Sequence, residues 1–212
     1  MKKLTALFMV SIISFLINQY WYFQNHEPHY AINISIENDA KWVGFLEIDE
    51  DFVKNELLPE LFRITNSKPL PLPTITIIAG DIKNIIGIYH TTDEIKLFED
   101  KVLEETSDFY NRNRLRFDMK ECKVRECSAL LYNFLAHELL HYIYNKIYGY
   151  SDAYSDHKRM LDKQELLKIS NFIRKKLNSN GIAQHLSMEA LKDQVDEAEE
   201  EIQEYLRTVK ND

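Results

Sequence analysis

The chain has 212 residues, of which 45% are hydrophobic, and it carries a formal net charge of −8 at pH 7. This length fits one medium-sized domain with an extension, and the composition can supply a hydrophobic core. Because the chain is acidic and no basic cluster stands out, a nucleic-acid-binding function is not expected.

The first 23 residues have the composition of a targeting segment. Lys2 and Lys3 precede the uncharged run 4–17. No small-residue cleavage site follows this run; the aromatic cluster Tyr20–Phe23 follows it instead. About twenty uncharged residues can cross a bilayer, and aromatic residues favour its interface. We therefore predict an uncleaved signal anchor over 1–23, with a cleaved signal peptide as the alternative. Residues 24–212 are then an extracytoplasmic domain, membrane-anchored, or secreted or periplasmic if cleavage occurs.

The segment from 31 to 117 has the pattern of a small sheet with flanking helices. A helix is expected within 49–65, kinked or shortened by Pro59, and another is expected over 101–117. The turn chemistry and the β-branched runs predict a series of strands. These strands are expected at 31–36, 42–48, 74–80, 85–90 and 94–98.

The most informative stretch is His137-Glu138-Leu139-Leu140-His141, within a run that lacks proline and glycine from 129 to 148. Residues four apart on a helix share a face, so His137 and His141 can present two imidazole nitrogens to one metal ion. Glu138 lies about 100° around the helix, where it can hold a metal-bound water. Apolar residues on every side of this helix predict that it is buried, and buried histidines need partners that a metal supplies.

The residues His137, Glu138 and His141 resemble the HExxH motif of the zincins, a superfamily of zinc-dependent metallopeptidases. The resemblance implies peptide-bond hydrolysis of a peptide or protein substrate by a metal-activated water, with Zn²⁺ as cofactor and Glu138 as general base. It also implies an α+β fold, with a small mixed sheet and an edge strand pair above a buried HExxH helix, followed by a helical C-terminal subdomain. The metzincin subgroup is excluded, because Tyr144 and Ile147 stand where its pattern requires glycine and histidine.

A third metal ligand is expected after Gly149, because catalytic zinc takes three protein ligands and keeps one position for water. His157 is the first histidine after the helix and is the predicted ligand. Asp156 would then be free to accept a hydrogen bond from a ligand histidine. Asp152, Asp156 and Glu165 remain alternatives as the third ligand.

Three further features leave more than one interpretation open. Cys122 and Cys127 can form a disulfide if a loop precedes the HExxH helix, or they can be two free thiols. The C-terminal residues 188–209 have apolar positions at alternating steps of three and four, which favours docking on the protein's own helices over a short coiled coil. The alternative to an enzyme is a membrane-anchored binding or assembly protein without catalysis. The oligomeric state is left open.

Overall fold

The computed structural model describes residues 32–36, 48–71, 73–79, 87–90, 94–113, 115, 118, 125–149 and 152–209. The predicted signal anchor or signal peptide at 1–23 lies outside these ranges, as do residues 42–47 of a predicted strand. Of the helices within these ranges, none combines the length and the apolar character that a membrane span requires.

Four strands form one mixed sheet. The strands β1 (Ile32–Ile36), β2 (Thr74–Ala79), β3 (Gly87–His90) and β4 (Glu94–Phe98) are ordered β1-β2-β4-β3. β1 and β4 run parallel to β2, whereas β3 is antiparallel to β4 and lies at an edge. The predicted strands at 31–36, 74–80, 85–90 and 94–98 are thus confirmed where the described ranges cover them.

The β-branched residues of this sheet are also its core residues. Ile75 and Ile77 on β2 are paired with Ile95 and Leu97 on β4, and all four side chains are buried. Branched side chains suit a pleated surface, where neighbours on adjacent strands pack against one another. Strand β2 is buried continuously from Ile75 to Ala79, so it is covered on both faces, as expected for a short β-branched run.

The helical segment α1 begins after Asp49, whose side chain accepts hydrogen bonds from the backbone of Asp51 and Phe52. It consists of an α-helical turn at Glu50–Phe52, a π-helical segment at Val53–Leu57 and an α-helix at Leu58–Thr65. Of the two effects predicted for Pro59, a kink or an early end, the early end is wrong, because the helix continues to Thr65. The distortion is the π-helical segment just before Pro59. Its wider turn accommodates the proline ring, which would otherwise clash with the carbonyl group of the preceding helical turn.

Helix α2 (Glu99–Arg112) follows β4 directly and is shorter at its C-terminal end than the predicted span 101–117. Helix α3 (Glu126–Tyr148) carries the HExxH motif. It packs against the sheet and against the other long helices, and buried residues occur all round it. The prediction of a buried helix is confirmed. Cys127, in its first turn, is disulfide-bonded, while Cys122 lies outside the described residues.

Three further helices follow within the described residues: α4 (Ala153–Asp162), α5 (Glu165–Leu177) and α6 (Ile182–Val209). The α5–α6 connection begins with Asn178 in the left-handed conformation, as expected for a segment rich in asparagine and glycine. Leu191 and Val195 of α6 are buried on the body of the protein, whereas Ile202 and Tyr205 are exposed. The predicted α+β class is confirmed, with a small mixed sheet and a helical C-terminal region.

Candidate metal centre

Three histidines converge at the junction of α3 and α4. His137 and His141 project from α3, and His157 projects from the first half of α4. Their Nε2 atoms form a nearly equilateral triangle with sides of 3.0, 3.1 and 3.2 Å. Nitrogens bound to one tetrahedral zinc at its usual bond length lie about 3.3 to 3.4 Å apart. The three histidines are therefore close enough to bind one metal ion.

Hydrogen bonds among the three Nε2 atoms cannot all be formed at once. A neutral imidazole Nε2 is either a donor or an acceptor, so among three mutually contacting nitrogens at least one pair places donor against donor or acceptor against acceptor. Such a pair would be repulsive in a site where His137 is only 8% exposed. A cation among three lone pairs removes the conflict, which makes the donor set fit a metal ion.

Asp156 fixes the orientation of one of these rings. Its Oδ2 lies 2.9 Å from Nδ1 of His141, and its side chain is buried. A carboxylate at that distance accepts the Nδ1 proton, which leaves the Nε2 lone pair of His141 directed into the triangle. The expected role of Asp156 beside a ligand histidine is thus borne out in its geometry.

Burial also favours the neutral form of the histidines. Loss of solvation holds the pKa of His137 well below its usual value, and the neighbouring rings of His141 and His157 lower it further. Burial lowers the pKa of His157 to about 4, with His141 contributing in the same direction. Since a metal ligand must offer a lone pair, both imidazoles are in the form that a metal requires at neutral pH.

Glu138 lies beside the histidines and against the edge strand β3. Its side chain is 7% exposed, and burial raises its pKa to about 7. The backbone N–H of Tyr89 donates a hydrogen bond to its carboxylate, which opposes part of that rise. A carboxyl group with a pKa near neutrality can both accept and return a proton at physiological pH.

The alternative third ligands are engaged elsewhere. Both oxygens of Asp152 lie 2.8 Å from Ser155, one accepting from its backbone N–H and the other from its hydroxyl, so Asp152 caps α4. Glu165 is buried and accepts a hydrogen bond from the hydroxyl of Tyr144. Over the described ranges, the metal-sized cluster consists of the three histidines and includes none of Asp152, Asp156 and Glu165.

Two cavities meet at the candidate centre. One has a volume of about 380 Å³ and is lined by the three histidines, Asp156 and the strand β3. The other has a volume of about 810 Å³ and extends beneath α2 and α6. Both contain Gly87, Ile88, His137, Glu138 and Gln194 in their walls. His137 and Glu138 thus face both cavities, whereas His141 and His157 line the smaller one.

Sequence reasoning missed Gly87, Tyr89 and Gln194 as site residues. A glycine within a strand indicates a close approach of another group, but the sequence does not say which group approaches. Gln194 is an exposed residue of α6 and carries no pattern that marks it. These three residues reach the site only through the packing of β3 and α6 around α3.

Comparisons with protein-family models, with curated proteins and with solved structures found no match.

Proposed function

We propose that this protein is a zinc-dependent peptidase of zincin type. The observation that carries the proposal is the triangle of three Nε2 atoms, together with the buried carboxylate of Glu138, which directly follows His137 on α3. Support comes from the donor set, since three imidazole nitrogens beside an open cavity are typical of catalytic zinc, which keeps one position for water.

The residues that would hold Zn²⁺ are His137, His141 and His157, with Asp156 orienting His141. When bound, zinc lowers the pKa of water towards neutrality and polarises a carbonyl group. Glu138 accepts the proton that the attacking water loses and passes it to the amine that leaves.

A peptide substrate is favoured by the surroundings of the centre. Strand β3 stands at the end of the strand order of the described sheet, and its residues Gly87 and Ile88 line both cavities. Edge strands bind extended peptides through main-chain hydrogen bonds. The cavity of about 810 Å³ is large enough for side chains beside the cleaved bond. The predicted anchor at 1–23 would hold the peptidase at a membrane, with its domain outside the cytoplasm.

The experiment that tests the proposal is Glu138→Gln in the zinc-loaded protein, assayed against a mixture of fluorogenic peptides. Glutamine keeps the size of the side chain but cannot take up the proton, so cleavage should fall by a factor of roughly 10² or more. Metal analysis should find the same zinc content in both proteins. A Glu138→Gln protein that retains full activity would rule out this residue as the base.

A further inference from the structure

We propose that Gly87 is a positioning residue for Glu138. Its lack of a side chain lets the Glu138 carboxylate lie directly against the edge strand β3, where the carboxylate faces both cavities. The inference rests on the function proposed above and adds a residue that the HExxH motif does not contain.

The space at Gly87 is already filled by the glutamate. A Cβ atom added at Gly87 would lie 3.0 Å from Cγ and 3.0 Å from Oε1 of Glu138, and 3.1 Å from Cδ2 of Leu97. These distances are shorter than ordinary van der Waals contacts. Leu97 is fully buried on the neighbouring strand and is paired with Gly87, so it has little room to move. A side chain at position 87 would therefore displace Glu138.

The contacts of Tyr89 fix which residue of β3 faces Glu138. The backbone N–H of Tyr89 donates to the Glu138 carboxylate. Its ring packs edge-on against Tyr142 at a centroid distance of 5.8 Å, and its hydroxyl accepts a hydrogen bond of 2.8 Å from Asn145 Nδ2. Glu138, Tyr142 and Asn145 are spaced by four and three residues, so they share one face of α3. This face anchors β3 along the helix and sets Gly87 opposite Glu138.

A side chain at position 87 would move the proposed general base, Glu138, and would leave the proposed metal ligands in place. His137 and His141 project from α3 at a different angle from Glu138, and the three atoms nearest the Cβ position at Gly87 belong to Glu138 and Leu97 rather than to a histidine. A methyl group there shifts the carboxylate while the histidine triangle stays intact. At these distances Glu138 must move by a few tenths of an ångström. Because misplacement of a catalytic group by about 1 Å can lower a rate by about 10²-fold, this smaller shift should lower it by up to about tenfold.

The first test compares Gly87→Ala with the wild-type full-length chain, both loaded with zinc and assayed against the fluorogenic peptide mixture. We expect kcat to fall several-fold to about tenfold, with KM within about twofold and zinc content unchanged. Gly181→Ala is the matched control, because its φ of 98° makes alanine strained and its nearest contact would be Arg174 Cδ at 3.5 Å. An unchanged kcat in Gly87→Ala, or an equal loss in Gly181→Ala, would contradict the proposal.

The second test does not depend on activity. Gly87→Ala should lower the midpoint of urea unfolding in the wild-type background and should lower it much less in a Glu138→Ala background, where the opposing side chain is removed. Equal drops in both backgrounds would contradict the proposal. If Gly87→Ala alone does not fold, recovery of folding in the Gly87→Ala/Glu138→Ala double variant supports the inference, and its absence overturns it. A wild-type protein without zinc or activity would refute the proposed function, whereas this cycle still tests the contact of Gly87 with Glu138.

Discussion

At the scale of single residues, hydrogen bonds give the polar side chains of the candidate metal centre different roles. Asp156 accepts from Nδ1 of His141, and both oxygens of Asp152 are used at the start of α4. Although these aspartates stand four residues apart, Asp156 orients a histidine ring and Asp152 caps the N-terminus of α4. This division explains why a carboxylate near the motif is not automatically a ligand.

The division predicts an order of zinc affinities among alanine variants. His157→Ala should lose the most affinity because it removes a donor atom, and Asp156→Ala should lose about 10- to 100-fold because it frees the His141 ring. Asp152→Ala is the control: it should cost about 1 kcal/mol of stability as a lost cap while zinc affinity stays unchanged. Competition with a chelator at neutral pH measures all three. A loss of zinc in Asp152→Ala with retention in His157→Ala would reverse the assignment.

The third ligand position could not be derived from the sequence alone. The pair His137 and His141 follows from helical periodicity, because one turn fixes both side chains on one face. The approach of His157 depends on how the chain turns at Gly149, whose φ of 78° breaks the helix. No local rule fixes the direction in which α4 leaves that turn, so Asp152, Asp156 and Glu165 remained alternatives until the packing was known.

At the scale of elements, helix α3 is both the support of the site and the centre of the core. Its buried residues were predictable because apolar side chains occur all round it. The four strands were likewise predictable from β-branched runs, while their order was not, since β4 lies between β2 and β3. Helix ends were less well defined, as the early end of α2 at Arg112 illustrates.

The burial of α3 predicts a contrast between two of its aliphatic residues. Leu139 is fully buried, so Leu139→Ala should lower the free energy of unfolding by about 2 to 5 kcal/mol. Ile147, on the same helix, is 40% exposed, so Ile147→Ala should cost about 0.5 kcal/mol or less. Urea unfolding of the two variants measures the difference. Equal losses would mean that α3 is not packed as described.

At the scale of the whole molecule, the site includes segments that no local sequence pattern marks as functional. The motif lies on one helix, but the site also needs β3, α4 and α6, which reach it from both sides of α3 in the sequence. Such contacts between distant residues depend on the complete fold. Helical periodicity therefore predicted that the histidines and Glu138 of the motif lie together, whereas the cavities and the proposed role of Gly87 depend on tertiary packing.

The N-terminal segment leads to a prediction about the intact protein in cells. Lys2 and Lys3 before the uncharged run favour an orientation with the domain outside the cytoplasm. Protease added to the outside of intact cells should therefore digest the domain, and the protein should stay with membranes after a salt wash. A shorter soluble form would instead indicate a cleaved signal peptide, and protection from the protease would contradict the orientation.

The central claim is that three histidines of this chain bind one catalytic zinc ion, and metal analysis of the purified protein tests it most directly. Elemental analysis after removal of loosely bound metal should find close to one zinc per chain in the wild type and far less in His157→Ala, with both proteins folded by circular dichroism. A folded wild-type protein that binds no zinc when zinc is supplied would contradict the account.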